Sequence, residues 1–145
     1  MTKAIPDSRD SYRLFQPITT RWMDNDQYGH LNNVVYYSLF DTVVNRFLIE
    51  NGLVDPLKGD IIGLVVNSNC HYFAPLAFPD RIEGGLRVDR LGSSSVTYGV
   101  GIFAEGSDTA AAQGGFVHVY VDSATRRPRP LPAPMREALQ SITVD

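Results

Sequence analysis

The sequence predicts an α+β domain in which an antiparallel sheet wraps around one long apolar helix. Three observations carry that expectation. Tyr36, Phe40, Val43, Val44, Phe47 and Leu48 recur at helical spacing, and Val35 and Leu39 widen the stripe. Four stretches between residues 61 and 122 alternate apolar and polar residues, as half-buried strands do. The connections between those stretches are short, so successive strands pair antiparallel instead of crossing over through helices.

The first strand is expected from Tyr12 to Trp22, where Phe, Ile, Thr and Tyr are frequent. Asn32 or Asn33 is placed to cap the helix that follows, its side-chain oxygen accepting a first-turn N–H. Gly52 suits the left-handed position just beyond the helix end. In Ile61–Phe73 simple alternation puts Ile62, Leu64, Val66, Cys70 and Tyr72 on one face and Asn67, Asn69 and His71 on the other. Pro75 and Pro79 end that run. Asp80–Leu91 then sets Ile82, Leu86 and Val88 against Arg81, Glu83, Arg87 and Asp89. In the next strand Val96, Tyr98, Val100 and Ile102 share a face. The last strand, about Thr109–Asp122, opposes Phe116, His118 and Tyr120 to Val117, Val119 and Val121. Four alternate prolines from Pro128 to Pro134 form a stiff connector, and Met135–Ile142 can make a short final helix.

A chain of 145 residues fits one domain with a sizeable core, spanning 1–145 with residues 1–10 as a flexible polar tail. Hydrophobic content of 43% and charged content of 20% argue against disorder. A net charge of −3 argues against nucleic acid as a partner. Cys70 stands alone, which excludes an intrachain disulfide and suits a reducing compartment. The first ten residues lack the apolar core of a signal peptide, and no run of about 18 apolar residues exists to span a membrane. The expected location is the cytoplasm.

The chemistry concentrates in Arg21–Tyr36, where a polar turn with two carboxylates and a histidine runs straight into the long helix. A helix N-terminus offers free N–H groups that can hold a developing oxyanion. Asp26, a few residues before the helix, is a carboxylate able to activate water or attack, or else simply closes a turn. Asp24 pairs with Arg21 or closes an Asx-turn. His30 either moves protons or ties the turn to the helix. Asp41, within the apolar helix, would be costly if buried unpaired, and Arg46 is a partner in reach. Cys70 and His71 point to opposite faces of a strand and cannot form a nucleophilic pair. His30, His71 and His118 have no metal-ligand spacing, so no metal is expected.

The spacing Asp26-x-x-Gly29-His30-x-Asn32-Asn33-x-x-Tyr36 resembles the signature of hotdog-fold acyl-CoA thioesterases of the 4-hydroxybenzoyl-CoA thioesterase type. The similarity extends over nearly the whole chain from about Tyr12. It implies hydrolysis of an acyl-CoA to a free acid and CoA. Asp26 would be the catalytic carboxylate, as general base or nucleophile. The backbone N–H at Asn33 would bind the thioester oxygen, and Asp41 would be the reserve candidate, since a related hotdog branch carries its catalytic carboxylate on this helix. The resemblance also implies a homodimer with a continuous sheet, often doubled to a homotetramer, and no cofactor beyond the coenzyme A that the substrate brings. One helix cannot cover a broad sheet, which independently favours a second copy.

Coenzyme A carries phosphates that need local positive charge. Arg126-Arg127-Pro128-Arg129 is the densest basic cluster, and Arg90 beside Leu91-Gly92-Ser93-Ser94-Ser95 offers a second contact. Asn32, Tyr36, Arg90, Ser94, Arg126 and Arg127 are therefore the expected substrate-binding residues. Tyr28, Tyr36, Tyr37, Phe40 and Tyr72 are candidates for an acyl pocket. Two other functions stay in view: a hotdog dehydratase or hydratase on acyl-thioesters, and a non-catalytic acyl-CoA-binding module.

Overall fold

The computed structural model describes residues 3–144. The elements run β1 (Leu14–Ile18), α1 (Val35–Glu50), β2 (Ile61–Tyr72), β3 (Ile82–Leu91), β4 (Ser95–Ala104), β5 (Ala112–Asp122) and α2 (Ala133–Gln140). All strand pairs are antiparallel, in the order β1-β3-β4-β5-β2. One face of this sheet curves over α1, which is the expected hotdog arrangement. Among the described residues no helix is long and apolar enough to cross a membrane.

The stripe on α1 becomes the core as its spacing demands. Tyr36, Leu39, Phe40, Val43, Val44, Phe47 and Leu48 are buried. They meet Leu86 and Val88 of β3, Val96, Tyr98, Val100 and Ile102 of β4, and Phe116 and Tyr120 of β5. The helix ends on Gly52 at φ 67°. There the Gly52 N–H donates to Ile49 C=O at 3.0 Å and the Leu53 N–H to Leu48 C=O at 2.9 Å, a Schellman closure. The cap expected of Asn32 or Asn33 is not made: the N-cap is Val34, without a side-chain cap, and Asn32 Oδ1 instead accepts the Val34 N–H at 3.1 Å and closes the turn before the helix.

Three further expectations change. The first strand is only Leu14–Ile18, because Arg21–Asp24 coils into a 3₁₀ turn closed by Asp24. In β2 the register shifts between Val65 and Asn67, so Val66 is the extra residue of a bulge. Before it, Gly63 and Val65 pair with Tyr120 and His118 on the helix side. After it, Cys70 and Tyr72 take that side, opposite Gly114 and Ala112. Ile62 and Leu64 therefore share the outer face with Asn67, Asn69 and His71, which simple alternation had put opposite them.

The third change concerns the N-terminus. In place of a loose tail, Asp7 and Arg9 are tied down, while Met1 and Thr2 lie outside the described residues. Arg9 pairs with Glu83 at 2.8 Å and rests over the rings of Phe15 and Phe103. Asp7 holds Arg87 at 3.0 Å and the Tyr12 hydroxyl at 2.9 Å. Tyr12 is buried because Gly101 leaves room beneath it; a Cβ there would stand 2.6 Å from its ring.

Candidate active site

Arg21–Val34 folds as two turns, and its two carboxylates take different work. Asp24 is buried. It accepts the Arg21 N–H through Oδ2 at 2.8 Å and the Arg21 guanidinium through Oδ1 at 2.8 and 3.1 Å. Both of its oxygens are used within the turn. In the second turn the Asp26 N–H donates to His30 C=O at 2.8 Å and the Gly29 N–H to Asp26 C=O at 3.1 Å. Gly29 supplies the φ of 82° that this turn requires. The Leu31 N–H then donates to Leu76 C=O at 2.7 Å and fastens the turn to the loop after β2.

Asp26 is half-buried and divides its oxygens. Oδ1 accepts the N–H groups of Tyr28 at 2.9 Å and His30 at 3.4 Å. Among the described residues Oδ2 has no hydrogen-bond partner. The side chain thus closes its turn and still presents one oxygen. The His30 ring is exposed and bonds to nothing among the described residues; only its backbone touches Asp26.

Asp26, His30, Asn33, Tyr36, Tyr72 and Pro75 line a cleft of about 460 Å³. The turn leading into α1, with Tyr36 in the helix's first turn, forms one wall. There the Asn33 N–H has no acceptor among the described residues, while Asn32 C=O accepts the Val35 N–H at 2.9 Å. The opposite wall comes from the end of β2, where the Tyr72 hydroxyl donates to Asn33 C=O at 3.0 Å. A carboxylate and an unbonded backbone N–H on residues lining one cleft can activate water and hold an oxyanion together. A larger depression of about 590 Å³, between Pro17 and Pro79, is walled by Asp80, Glu83 and Glu105 with Arg81. It joins no such donor to a carboxylate, so the smaller cleft is the candidate.

Of the expected acyl-pocket tyrosines, Tyr36 and Tyr72 line this cleft, their rings edge to face at 5.2 Å. Tyr28 and Tyr37 do not line it, and Phe40 is wholly buried in the core. Asp41 lies on the exposed side of α1, where Oδ1 accepts from Asn45 Nδ2 at 3.0 Å, and Arg46 pairs with Glu50 instead. Cys70 is half-buried, and burial pushes its thiol up to about 11, far from a reactive thiolate.

The cationic residues sit elsewhere. Ser95 pairs with Val119 and Ile61 with Asp122, so Arg90, Ser94, Arg126 and Arg127 gather at the Asp122 end of the sheet. Asp26 lies by the Tyr72 end. The 12 residues of β2 separate the two ends by roughly 35 Å at about 3.3 Å per residue. Arg129 is occupied by Asp60 and Asp122 at 3.3 and 3.7 Å, whereas Arg126 and Arg127 are exposed.

Comparison with known proteins fits this layout. A model of the thioesterase-like superfamily matches residues 20–139. The PA5185 protein of Pseudomonas aeruginosa strain PAO1 has a similar structure, with a TM-score of 0.95 and 54% identity over 97% of this chain and 99% of that one. A thioesterase from Thermus thermophilus, complexed with coenzyme A and Zn, superposes with a TM-score of 0.73 and 28% identity, over 90% of this chain and 95% of its own. The Bacillus subtilis protein YsmA is 22% identical over 89 residues, and the chain spans 60% of its length.

Proposed function

The chain belongs to the thioesterase-like superfamily, and on that premise we propose that it hydrolyses an acyl-CoA thioester, with Asp26 as the catalytic carboxylate. The observation that carries this reading is that Asp26 and Asn33 line one cleft, the former with Oδ2 and the latter with its N–H unbonded among the described residues. The thioester oxygen takes up the Asn33 N–H as negative charge builds on it. Asp26 either draws a proton from water as the water oxygen bonds to the acyl carbon, or attacks that carbon itself and forms an anhydride that water then opens. In both routes the C–S bond breaks with its electron pair on sulfur, CoA leaves as a thiolate that takes up a proton from solvent or from the protonated carboxyl, and the acid is released. A dehydratase reading would want the His30 ring paired with a carboxylate, and no such pair supports it. Thiol release from a panel of acyl-CoA esters tests the proposal, and no turnover of any of them would sink it.

The same reading calls for a second copy. Leu64, Val65 and Val66 on the β2 edge are 37%, 51% and 61% exposed, and an unpaired apolar edge is a template for another strand. Asp26 and the arginines lie toward opposite ends of the sheet within one copy. Antiparallel pairing of two β2 strands brings the Arg126 end of one copy beside the Asp26 end of the other. Light scattering should therefore report a dimer or tetramer at micromolar concentration; a monomer would overturn this.

Arg126→Ala combined with Arg127→Ala should raise KM for CoA esters about 10-fold with kcat little changed, since uniform binding energy is lost. Short thioesters without the nucleotide should be unaffected. Equal effects on both substrates would assign the pair another part.

A further inference from the structure

We propose that Tyr72 is a positioning residue for the oxyanion site, its hydroxyl holding the turn that leads into α1 so that the Asn33 N–H meets the thioester oxygen. The inference rests on the catalytic reading above and names a group 39 residues away from the donor it sets. Tyr72 is the last residue of β2, on the helix side of the sheet, opposite Ala112. Its hydroxyl donates to Asn33 C=O at 3.0 Å, and this bond joins the two walls of the cleft.

The peptide between Asn33 and Val34 is thereby pinned at both ends. Its C=O accepts from Tyr72, and its N–H donates to Asn32 Oδ1 at 3.1 Å. The preceding peptide is fixed by the Val35 N–H on Asn32 C=O at 2.9 Å. The Asn33 N–H belongs to that preceding peptide, so Tyr72 acts on its direction through the next plane, across the Asn33 Cα. A donor already aimed at the developing charge needs no reorganisation when the charge appears. Asn32 Oδ1 holds the Asn33–Val34 plane only from within the turn, and a helix start is free to fray until a tertiary contact such as the Tyr72 bond holds it.

Tyr72 itself is held. Its ring packs edge to face on Tyr36, which is only 3% exposed. Burial beside Cys70 and two further tyrosines raises its hydroxyl pKa, so it stays neutral and acts as a donor, not as a base. A 45% exposed phenol donating to a backbone carbonyl matters little to overall stability. Its value lies in geometry at the site.

Tyr72→Phe removes the hydroxyl and keeps the ring against Tyr36. On the best CoA ester kcat should fall about 10-fold with KM within about twofold, because the lost effect appears only as charge develops. Isotope-edited infrared supplies a readout that folding does not move. A 13C-carbonyl acyl-CoA bound to Asp26→Asn should show a lowered C=O stretch, and adding Tyr72→Phe should return it toward the free value. Unchanged kcat in Tyr72→Phe would overturn the inference, as would a rise in KM with kcat intact, which would make Tyr72 only a wall. Normal turnover by Asp26→Asn would instead sink the assignment of the catalytic carboxylate. A wild-type protein that hydrolyses no CoA ester would overturn both.

Discussion

Asp26→Asn is expected to lower kcat on CoA esters by about 10²–10⁴-fold while KM stays within about twofold, the range for loss of a general base or its equivalent. The substitution is close to isosteric. An asparagine Oδ1 still accepts the N–H groups of Tyr28 and His30, as Asp26 does at 2.9 and 3.4 Å, so the turn keeps its shape. What changes is the second atom, where a free carboxylate oxygen gives way to an amide that neither takes a proton nor attacks. Asp24→Asn should behave in the opposite way. Its two oxygens serve Arg21, so the expected cost is about 1–3 kcal/mol of stability with turnover per folded molecule largely kept. Asp41→Asn, on the exposed side of α1, should do little to either. Steady-state kinetics with urea unfolding of the three variants separates these outcomes. Near-normal turnover in Asp26→Asn with none in Asp41→Asn would move the chemistry onto the helix.

How much of this site is legible in the sequence follows from how local its parts are. Asp26, Gly29, His30, Asn32, Asn33 and Tyr36 lie within eleven consecutive residues. Their spacing therefore fixes which side chains and N–H groups meet. Tyr72 reaches Asn33 from the end of another strand, and nothing local marks that contact. The arginines teach the converse. Arg126 and Arg127 are a clear charge cluster, yet strand pairing sends them to the far end of the sheet from Asp26. A cluster's chemistry can be read from composition, but its distance from a site depends on topology.

The fold divides in the same way. The stripe on α1 and the Gly52 stop depend on neighbours within a few residues, and both stand as expected. The bulge at Val66 is invisible to a period-2 pattern, because the inserted residue is itself apolar. The docking of Asp7, Arg9 and Tyr12 was hidden for another reason. Glu83, Arg87 and Asp89 read as a solvent face, whereas Glu83 and Arg87 are the partners that receive the N-terminal segment. Gly85 and Gly101, paired across β3 and β4, were the available signal: they leave the outer face open for the Tyr12 ring.

Lowering the pH from about 7.5 to 5 should remove about 2 kcal/mol of stability through His118, and about 3 kcal/mol once the pH is below 4. His118 is 3% exposed beneath β2, stacked on Phe116 at 4.8 Å. Its Nδ1 lies 3.2 Å from the Tyr120 hydroxyl, which lies 2.8 Å from that of Tyr98. No carboxylate is in that chain, and burial lowers the imidazole pKa to about 4 from its ordinary 6.5. Between those values the unfolded chain binds a proton that the folded chain refuses, so stability rises with pH across the window and is fully present above about 6.5. Geometry gives the same sign. With Tyr98 donating to Tyr120 and Tyr120 to His118, a proton on Nδ1 would set two donors against each other. His118→Gln keeps an acceptor for Tyr120 and has nothing to titrate. Urea unfolding at pH 7.5 and 5, at one fixed protein concentration, should show a loss for the wild type that exceeds the variant's by about 2 kcal/mol. Carboxylates contribute equally to both proteins, so equal losses would put the acid sensitivity somewhere other than this buried histidine.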